Sequence, residues 1–412
     1  MIALLVAVTA ATAIEALLLQ SPDTDYEKDL RLIRSRLKDL EAQAAQSVVK
    51  PNAQRVDLLF RCAIQTEALP DLRDAWLALA QYSPSAELGS GVAMARTRIA
   101  LDLHNLREAR AALGTMADIG ATLPRARLGF DLAMQDGRYD EARKIAFLWV
   151  VPGAAAEDLC RLAGLAKFDG DDVRADQCFA LAELQLQQGK GRFRAWVALQ
   201  RGMLKFRAGD LSAARAHYLQ AAESYSGWWK ITQQQAELLG AEGRFDEAEA
   251  LYRKLLTSEA RPELEQELGD LLLFEGKAQE AKVLYRHALS NFLDSAQRGE
   301  TLYLHHLSIL YADGLSMPTE AVRWAKADLE VRGCAAAHDE LAWAYFQAGD
   351  LPSAMRETDA TLASGVKEPH LLTHAIGIYM ATDHRRSEVR HMLEIPAVAA
   401  LVGNRRFHAH RQ

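Results

Sequence analysis

The sequence predicts an all-α solenoid, a curved rod of stacked antiparallel helix pairs, from three observations. A glycine is followed five residues later by an alanine at six places, namely Gly137/Ala142, Gly170/Ala175, Gly209/Ala214, Gly243/Ala248, Gly276/Ala281 and Gly349/Ala354. Successive alanines lie 33, 39, 34, 33 and 73 residues apart, and Ala321 divides the last interval. In four copies an aromatic residue stands four positions after the alanine, at Phe179, Tyr218, Tyr252 and Tyr285. This regularity indicates one structural unit repeated along the chain.

Each unit is expected to be two helices joined by a turn. Apolar residues at helical spacing precede the glycines, as at Leu341, Ala342 and Tyr345. The alanine at the start of the second helix lets the two helices approach closely. A single pair cannot bury both of its apolar faces, so neighbouring pairs should stack. We therefore predict essentially no strand, with helix pairs that turn at Gly170, Gly209, Gly243, Gly276 and Gly349.

Weaker copies at Ala75, Ala109 and Val389 extend the array to about nine or ten units. The pattern resembles the tetratricopeptide repeat family. Residues 264–289 match best, with Leu268-Gly269, Gly276, Ala281, Tyr285 and Ala288 at family positions. The resemblance covers residues 71 to 396 and implies a right-handed α-solenoid with a concave groove. Residues 307–314, followed by Ala321 and Trp324, are more similar to the related Sel1-type unit.

Four regions are predicted along the chain. Residues 1–20 contain an uncharged apolar run at 2–14, which has the length of a signal peptide or membrane anchor but lacks preceding basic residues. The alternative is a packing helix that caps a cytoplasmic protein. Residues 21–50 are predicted as an amphipathic capping helix, with dimerisation through it as the alternative. The repeat array spans 51–396, and a basic tail spans 397–412.

Composition narrows the class of partner. The formal net charge of -7 and pI near 6.0 give no general attraction to nucleic acid, so no nucleic-acid partner is expected. The four cysteines are too scattered for a disulfide scaffold. Cys160 and Cys178 lie almost symmetrically about the predicted turn at Gly170. They are either close enough for a disulfide in an exported protein or simply buried thiols.

No catalytic motif is recognisable, because the chain lacks a phosphate-binding loop, a GxSxG nucleophile elbow and an HExxH zinc motif. We therefore expect a protein that is not an enzyme and uses no cofactor. Ten of the twelve histidines follow residue 286, including the pair His370 and His374 at helical spacing. A metal-dependent enzyme using these histidines is the alternative, although surface histidines explain the pattern better.

The resemblance also implies which residues face partners, because first helices line the concave surface in this family. Counting back from each glycine selects a mixed aromatic and polar set, consisting of Trp196, Met203, Phe206, Arg207, Lys230, Gln233, Glu237, Gln266, Asp270, Phe274, Asp339, Trp343 and Phe346. Such a mixture suits the recognition of proteins or peptides, although some of these aromatics could instead pack between repeats. The basic and amide residues by which family members grip chaperone tails do not match here.

These observations predict a scaffold that recruits protein partners to an envelope-associated assembly. Its expected location is the periplasm or the inner membrane, with a cytoplasmic adaptor as the alternative. Oligomerisation is left open.

Overall fold

The computed structural model describes residues 23–44, 53–81, 89–116, 122–186, 191–382 and 385–402, and no strand occurs in these ranges. The segment predicted as a signal peptide or anchor, residues 1–20, lies outside them. None of the described helices is long and apolar enough to cross a membrane. The α-helices are α1 Asp25–Ala44, α2 Ala53–Thr66, α3 Leu69–Gln81, α4 Gly89–Asp102, α5 Leu106–Thr115, α6 Thr122–Gln135, α7 Tyr139–Ala146, α8 Ala156–Phe168, α9 Asp172–Gln185, α10 Arg192–Arg207, α11 Leu211–Ser224, α12 Trp229–Ala241, α13 Phe245–Ser258, α14 Pro262–Phe274, α15 Ala278–Gln297, α16 Leu304–Ile309, α17 Pro318–Val331, α18 Ala335–Gln347, α19 Leu351–Ala363, α20 Pro369–Thr382, α21 Arg386–Leu393 and α22 Pro396–Val402.

Helices α2 to α21 form antiparallel pairs, and each pair turns through one residue with a positive φ angle. Going along the described chain, these residues are Glu67, His104, Gly137, Gly170, Gly209, Gly243, Gly276, Ser316, Gly349 and Arg385. The five turns predicted from glycines are confirmed. Four further turns use residues other than glycine, so the glycine pattern alone could not place them. The all-α solenoid predicted from the sequence is therefore the fold.

The buried alanine of the repeat, and in four units also the aromatic, holds the pair together. The repeated alanines from Ala109 to Ala354 are fully buried, and Tyr285 is also fully buried. A Cβ atom added to Gly269 in α14 would lie 2.4 Å from Cε1 of Tyr285 in α15. Only glycine therefore fits beneath this ring. The spacing seen in the sequence is the contact between the two helices of one pair.

Two regions differ from the simple repeat. In the Sel1-like unit, α16 continues as a π-helix at Leu310–Gly314, a local widening that accommodates extra residues in a helix. At the carboxyl end, the prediction of a tail from residue 397 is wrong for its first part, because α22 extends to Val402. Val398 is fully buried against Ile376 and Tyr379. Burial of this apolar side chain explains why the packed structure continues.

The rod coils so that its first half touches its second half. The Tyr26 N–H donates to the Ser226 carbonyl at 3.1 Å, and the Ala335 N–H donates to the Tyr139 hydroxyl at 2.7 Å. Four bonds along this contact join residues 195, 196, 198 and 201 positions apart. Other bonds across this contact join residues 125 to 227 positions apart, so these four intervals only approximate one turn of the superhelix. We call the contact between successive superhelical turns the seam.

At the seam, turns within early helix pairs meet loops between later helix pairs. On one side lie the turns within the early pairs, at Glu67, Leu103, Gly137 and Phe168. On the other side lie the loops between later pairs. For example, the Thr301 hydroxyl donates to the Leu103 carbonyl at 2.9 Å, and the Lys367 N–H donates to the Phe168 carbonyl at 2.9 Å. The described loop between two early pairs, residues 147–155, therefore faces the opposite rim of the coil.

The turn between α2 and α3 makes the most concentrated part of the seam. The Glu67 carboxylate accepts hydrogen bonds from Arg192 and Lys230, at the starts of α10 and α12. The neighbouring Thr66 carbonyl accepts from the Trp229 indole N–H at 3.1 Å and from Arg261. Burial favours the protonated acid, but the adjacent Lys230 and Arg192 hold the pKa of Glu67 below its usual value. One early turn is thus bonded to three later pairs.

Glycine at 137 has a role in the seam that glycine at 209 lacks. Both residues have a positive φ, of 72° and 79°. A Cβ atom on Gly137 would lie 2.0 Å from the carbonyl oxygen of Gly333 across the seam. A Cβ atom on Gly209 would meet nothing within 4 Å. The two positions share the backbone strain of a substitution but differ in the steric clash.

We therefore expect Gly137→Ala to destabilise the protein more than Gly209→Ala. Each substitution should cost about 1–2 kcal/mol from the left-handed backbone. Gly137→Ala should cost a further ~1–3 kcal/mol because the methyl group overpacks the seam. Denaturant unfolding of both variants measures the difference, and small-angle scattering should show a wider coil only for Gly137→Ala. Equal losses and unchanged scattering would contradict a stabilising seam.

Candidate partner-binding site

The first helices of successive pairs form the inner face of the coil. Side-chain bridges link one first helix to the next along this face. Arg161 of α8 bonds Asp131 of α6 at 2.7 Å, and Gln233 of α12 donates to Glu267 of α14 at 2.6 Å. These bridges connect successive first helices along the inner face. All of the residues predicted to contact partners lie on its helices.

Two of the predicted cations bridge superhelical turns. Lys230 bonds Glu67, as described above. The Arg207 guanidinium donates to Glu368 at 2.7 Å, and the Arg207 side chain is only 17% exposed. Glu368 follows the later loop that meets α8 at the seam. These two cations already hold a carboxylate of the same chain, so a partner would have to compete for them.

Four predicted residues are buried. Phe206 is 7% exposed within the main hydrophobic core, and Gln266, Glu237 and Asp339 are 1%, 8% and 5% exposed. Gln266 lies 3.1 Å from Nδ1 of His306, which packs over it. Their burial follows from the close stacking of the first helices. A partner could touch them only if the helices moved apart.

The aromatic residues of α10 and α14 differ in access. Trp196 is partly buried and packs against Phe179 and Phe193, with ring centroids 6.1 and 6.2 Å away. Met203, also partly buried, lies beside Gln200 on the same helix. Phe274 is 50% exposed, and its ring lies 5.6 Å from that of Phe245. Phe274 is thus the most accessible predicted aromatic.

Asp270 of α14 has a structural partner within its own pair. Its carboxylate accepts a hydrogen bond from the Tyr285 hydroxyl at 2.7 Å. Because Tyr285 is the fully buried aromatic of the repeat, this bond satisfies the one polar atom that the ring carries into the core. The prediction of Asp270 as a contact residue did not anticipate this second role.

The helices α18 and α20 bring together an aromatic and charged cluster, which we call the C-terminal cluster. The Trp343 ring stacks on His374 at 4.5 Å, and the Phe346 ring lies 5.3 Å from Trp343. The Trp343 indole N–H donates to Asp313 at 2.9 Å. His374 in turn pairs with Asp339 at 2.8 Å. Two predicted aromatics are therefore fixed side by side on the inner face, both partly exposed.

Sequence reasoning did not assign Asp313 or His374 to this surface. Asp313 lies in the π-helical stretch, where the repeat frame shifts. His374 was noticed only as part of a metal-ligand spacing with His370. The two rings do meet, with centroids 4.6 Å apart, but no group of three or more potential ligands is arranged to hold a metal among the described residues. Cys160 and Cys178 are both free thiols.

The pair of Asp339 and His374 binds a proton more tightly in the folded protein. Burial would lower the pKa of His374, but Asp339 reverses this and raises it. Burial also raises the pKa of Asp339. Both pKa values are raised on folding. At a pH between the ordinary and the raised pKa of either group, the folded state therefore holds more protons than the unfolded state. Stability linked to this pair is therefore present at lower pH and is lost as pH rises.

We expect the unfolding free energy of the wild type to fall as pH rises from the ordinary histidine pKa, near 6.5, through the raised value in the fold. The double variant Asp339→Asn with His374→Gln should lack this component, because neither amide side chain takes up a proton in this pH range. Denaturant titrations at several pH values, from about 6 to 9, measure both. Parallel pH profiles for the two proteins would rule out a proton held by this pair.

Neither a family model nor a curated protein matches the sequence. Similar solved structures include the Cut9–Hcn1 hetero-tetramer of the APC/C, 14% identical over 83% of this chain and 69% of that chain, with a TM-score of 0.44. A Rap protein complexed with competence and sporulation factor is 13% identical over 76% of this chain and 98% of that one, with a TM-score of 0.45. A tetratricopeptide repeat protein from Parabacteroides merdae is 17% identical over 59% and 99%, with a TM-score of 0.34.

These likenesses are remote, so the assignment rests on the repeats themselves. Nine of the ten pairs in the described chain combine a left-handed turn with a buried alanine, and several add the aromatic that packs on the first helix. In fold, the chain is a tetratricopeptide-like α-solenoid.

Proposed function

We propose that this protein is a non-enzymatic scaffold that holds a segment of a partner protein against the inner face of its C-terminal pairs. The observation that carries the proposal is the C-terminal cluster, in which Trp343 and Phe346 are partly exposed beside one another. Interface energy concentrates on such aromatic anchors when they are held rigidly. The stacking on His374 and the bond to Asp313 supply that rigidity.

The rest of the inner face also favours a binding site at the C-terminal pairs rather than at the centre of the array. Lys230 and Arg207 are bonded to carboxylates across the seam, and Phe206 is part of the core. Phe274 adds an exposed aromatic on α14, on the same face. A bound segment would therefore lie along the first helices from α14 to α18, where side chains are available without opening the seam.

The proposal includes an envelope-associated assembly as the setting, with the periplasm or the inner membrane as the location. The apolar run at residues 2–14 supports this setting, because its length suits a secretory signal or a membrane anchor. A cytoplasmic adaptor with the same inner face is the alternative.

Phe346→Ser should weaken partner binding by about 2 kcal/mol or more, as expected for an interface anchor. It should lower the unfolding free energy less than Phe206→Ala does, because Phe346 is only partly buried where it packs on the core of the last pairs. The partner is first identified by crosslinking and co-purification, and its affinity for each variant is then titrated. Val173→Ser is the control, since Val173 is an apolar residue that is 71% exposed on a second helix, and the variant should bind normally. Full binding by Phe346→Ser, or equal loss in the control, would place the site elsewhere.

Phe206→Ala should behave in the opposite way. Truncation of this buried ring should lower the unfolding free energy by about 3–5 kcal/mol. Unfolding curves measured beside the binding titration distinguish the two aromatics. An unchanged unfolding curve with lost binding would instead make Phe206 a partner contact.

Fractionation of bacterial cells that express the full chain tests the location. We expect the protein in the membrane or periplasmic fraction, with residues 2–14 either embedded or removed. Sequencing of the amino terminus distinguishes these two outcomes. Protein found only in the cytosol with an intact amino terminus would exclude export and favour the cytoplasmic adaptor.

A further inference from the structure

The surface proposed to bind a partner lies at the ends of the later first helices. Phe274 ends α14 two residues before the turn at Gly276, and Phe346 lies three residues before the turn at Gly349. The loops that form the seam instead precede the first helices of these pairs, as at Thr301. The two aromatic residues therefore lie toward the rim opposite the seam.

Two carboxylates of this surface lie close to one tyrosine. The Tyr285 hydroxyl donates to Asp270 of α14 at 2.7 Å. A Cβ atom added to Gly314, which directly follows Asp313, would lie 3.2 Å from Cζ of the same ring. Burial raises the pKa of Tyr285, and the negative charges of Asp270 and Asp313 raise it further. The two carboxylates are therefore neighbours, one on α14 and one in the π-helical stretch.

The hydrogen bonds to these carboxylates come from uncharged groups. Asp270 accepts from the phenol of Tyr285. Asp313 accepts from the Trp343 indole N–H at 2.9 Å and from the Gln347 amide at 3.4 Å. Such bonds leave the negative charge of an ionised carboxylate in place. Both aspartates are partly exposed, so their charge acts at the surface of the inner face.

An aromatic ring flanks each carboxylate. Phe274 follows Asp270 by four residues, so the two side chains lie on the same face of α14. Trp343, whose indole bonds Asp313, carries the Phe346 ring beside it, with centroids 5.3 Å apart. A segment lying across α14, the π-helical stretch and α18 would therefore meet apolar, then acidic, then apolar groups.

The helices that form this surface carry charge of one sign. Helices α14 and α18 and residues 304–314 contain no lysine or arginine. They contain seven carboxylates, namely Glu263, Glu265, Glu267, Asp270, Asp313, Asp339 and Glu340. The sequence of these elements alone therefore makes the surface acidic.

The cations bonded to these helices do not reverse that charge. Arg261 and Arg332 each bridge two carboxylates. Lys277, at the turn after α14, also bridges two. Histidines pair with Glu265 and Asp339. The surface therefore combines accessible aromatic rings with a net negative charge.

We infer that the partner segment is cationic, with a lysine or arginine that enters between Asp270 and Asp313 and apolar residues on both sides of it. The inference rests on the proposed function, since it names the chemistry of the partner bound at that surface. Opposite charge across an interface selects the partner and speeds its binding, while aromatic anchors supply much of the affinity. An acidic or neutral segment would cover these carboxylates without supplying a counter-charge.

Selection of peptides from a displayed random library against the full chain tests this inference. We expect the retained peptides to be enriched in lysine and arginine that lie between apolar residues. Salt screens the attraction between exposed charges, so the affinity of a retained peptide should fall as salt rises. Titration of one fluorescently labelled retained peptide measures the affinity of each variant.

Asparagine variants remove the charges but keep an acceptor for the bonds from Tyr285 and Trp343. Asp270→Asn and Asp313→Asn should each weaken binding of that peptide by about tenfold at low salt and flatten its salt dependence. Asp246→Asn is the matched control, because it removes the same charge from an exposed position on the second helix α13. This control should change neither the affinity nor its salt dependence.

The outcomes separate this inference from the proposed function. Retained peptides that lack cations, or equal affinity of the wild type and both asparagine variants, would overturn the cationic partner even if Phe346→Ser still loses binding. Normal peptide binding by Phe346→Ser would instead show that the surface itself is wrong, and both proposals would fail. A library from which the wild type retains no peptide would also count against both.

Discussion

The left-handed turn inside each helix pair is the constraint on which the rest of this structure depends. It reverses the chain within two or three residues, so the second helix must pack directly on the first. That packing requires a small residue where the helices cross, which is why Ala175, Ala214, Ala248 and Ala281 are fully buried. The turns of the early pairs also form the rim that the later part of the coil covers. Local geometry, pair packing and superhelical contact therefore share one origin.

Much of the fold could be predicted because its signals are local. A glycine, an alanine five residues later and an aromatic four residues beyond that all belong to one helix pair. Turns at Glu67, His104, Ser316 and Arg385 were harder, because these residues rarely adopt positive φ and give no recognisable mark. The tail was misjudged for a similar reason, since one buried valine at 398 is too weak a pattern to predict a helix.

The candidate site was only partly predictable, because the inner face depends on distant contacts. The family frame placed Trp343 and Phe346 on first helices, and they do lie together there. It also selected Lys230 and Arg207, whose carboxylate partners belong to another turn of the superhelix. The sequence near each cation contains no pattern that predicts a carboxylate partner 161 or 163 residues away. Side chains that a repeat frame assigns to partner binding can thus be used to close the coil.

The seam also changes how such a chain can be assembled during synthesis. In an open repeat array, each unit needs only its neighbours, and folding can follow the chain as it leaves the ribosome. Here the rim at Tyr139 and Phe168 stays uncovered until Ala335 and Lys367 have been made. The early units are complete long before these later residues are synthesised. Until then, the groups at this rim that will form seam bonds face water. The growing chain is therefore exposed to mispairing for longer than its local architecture suggests.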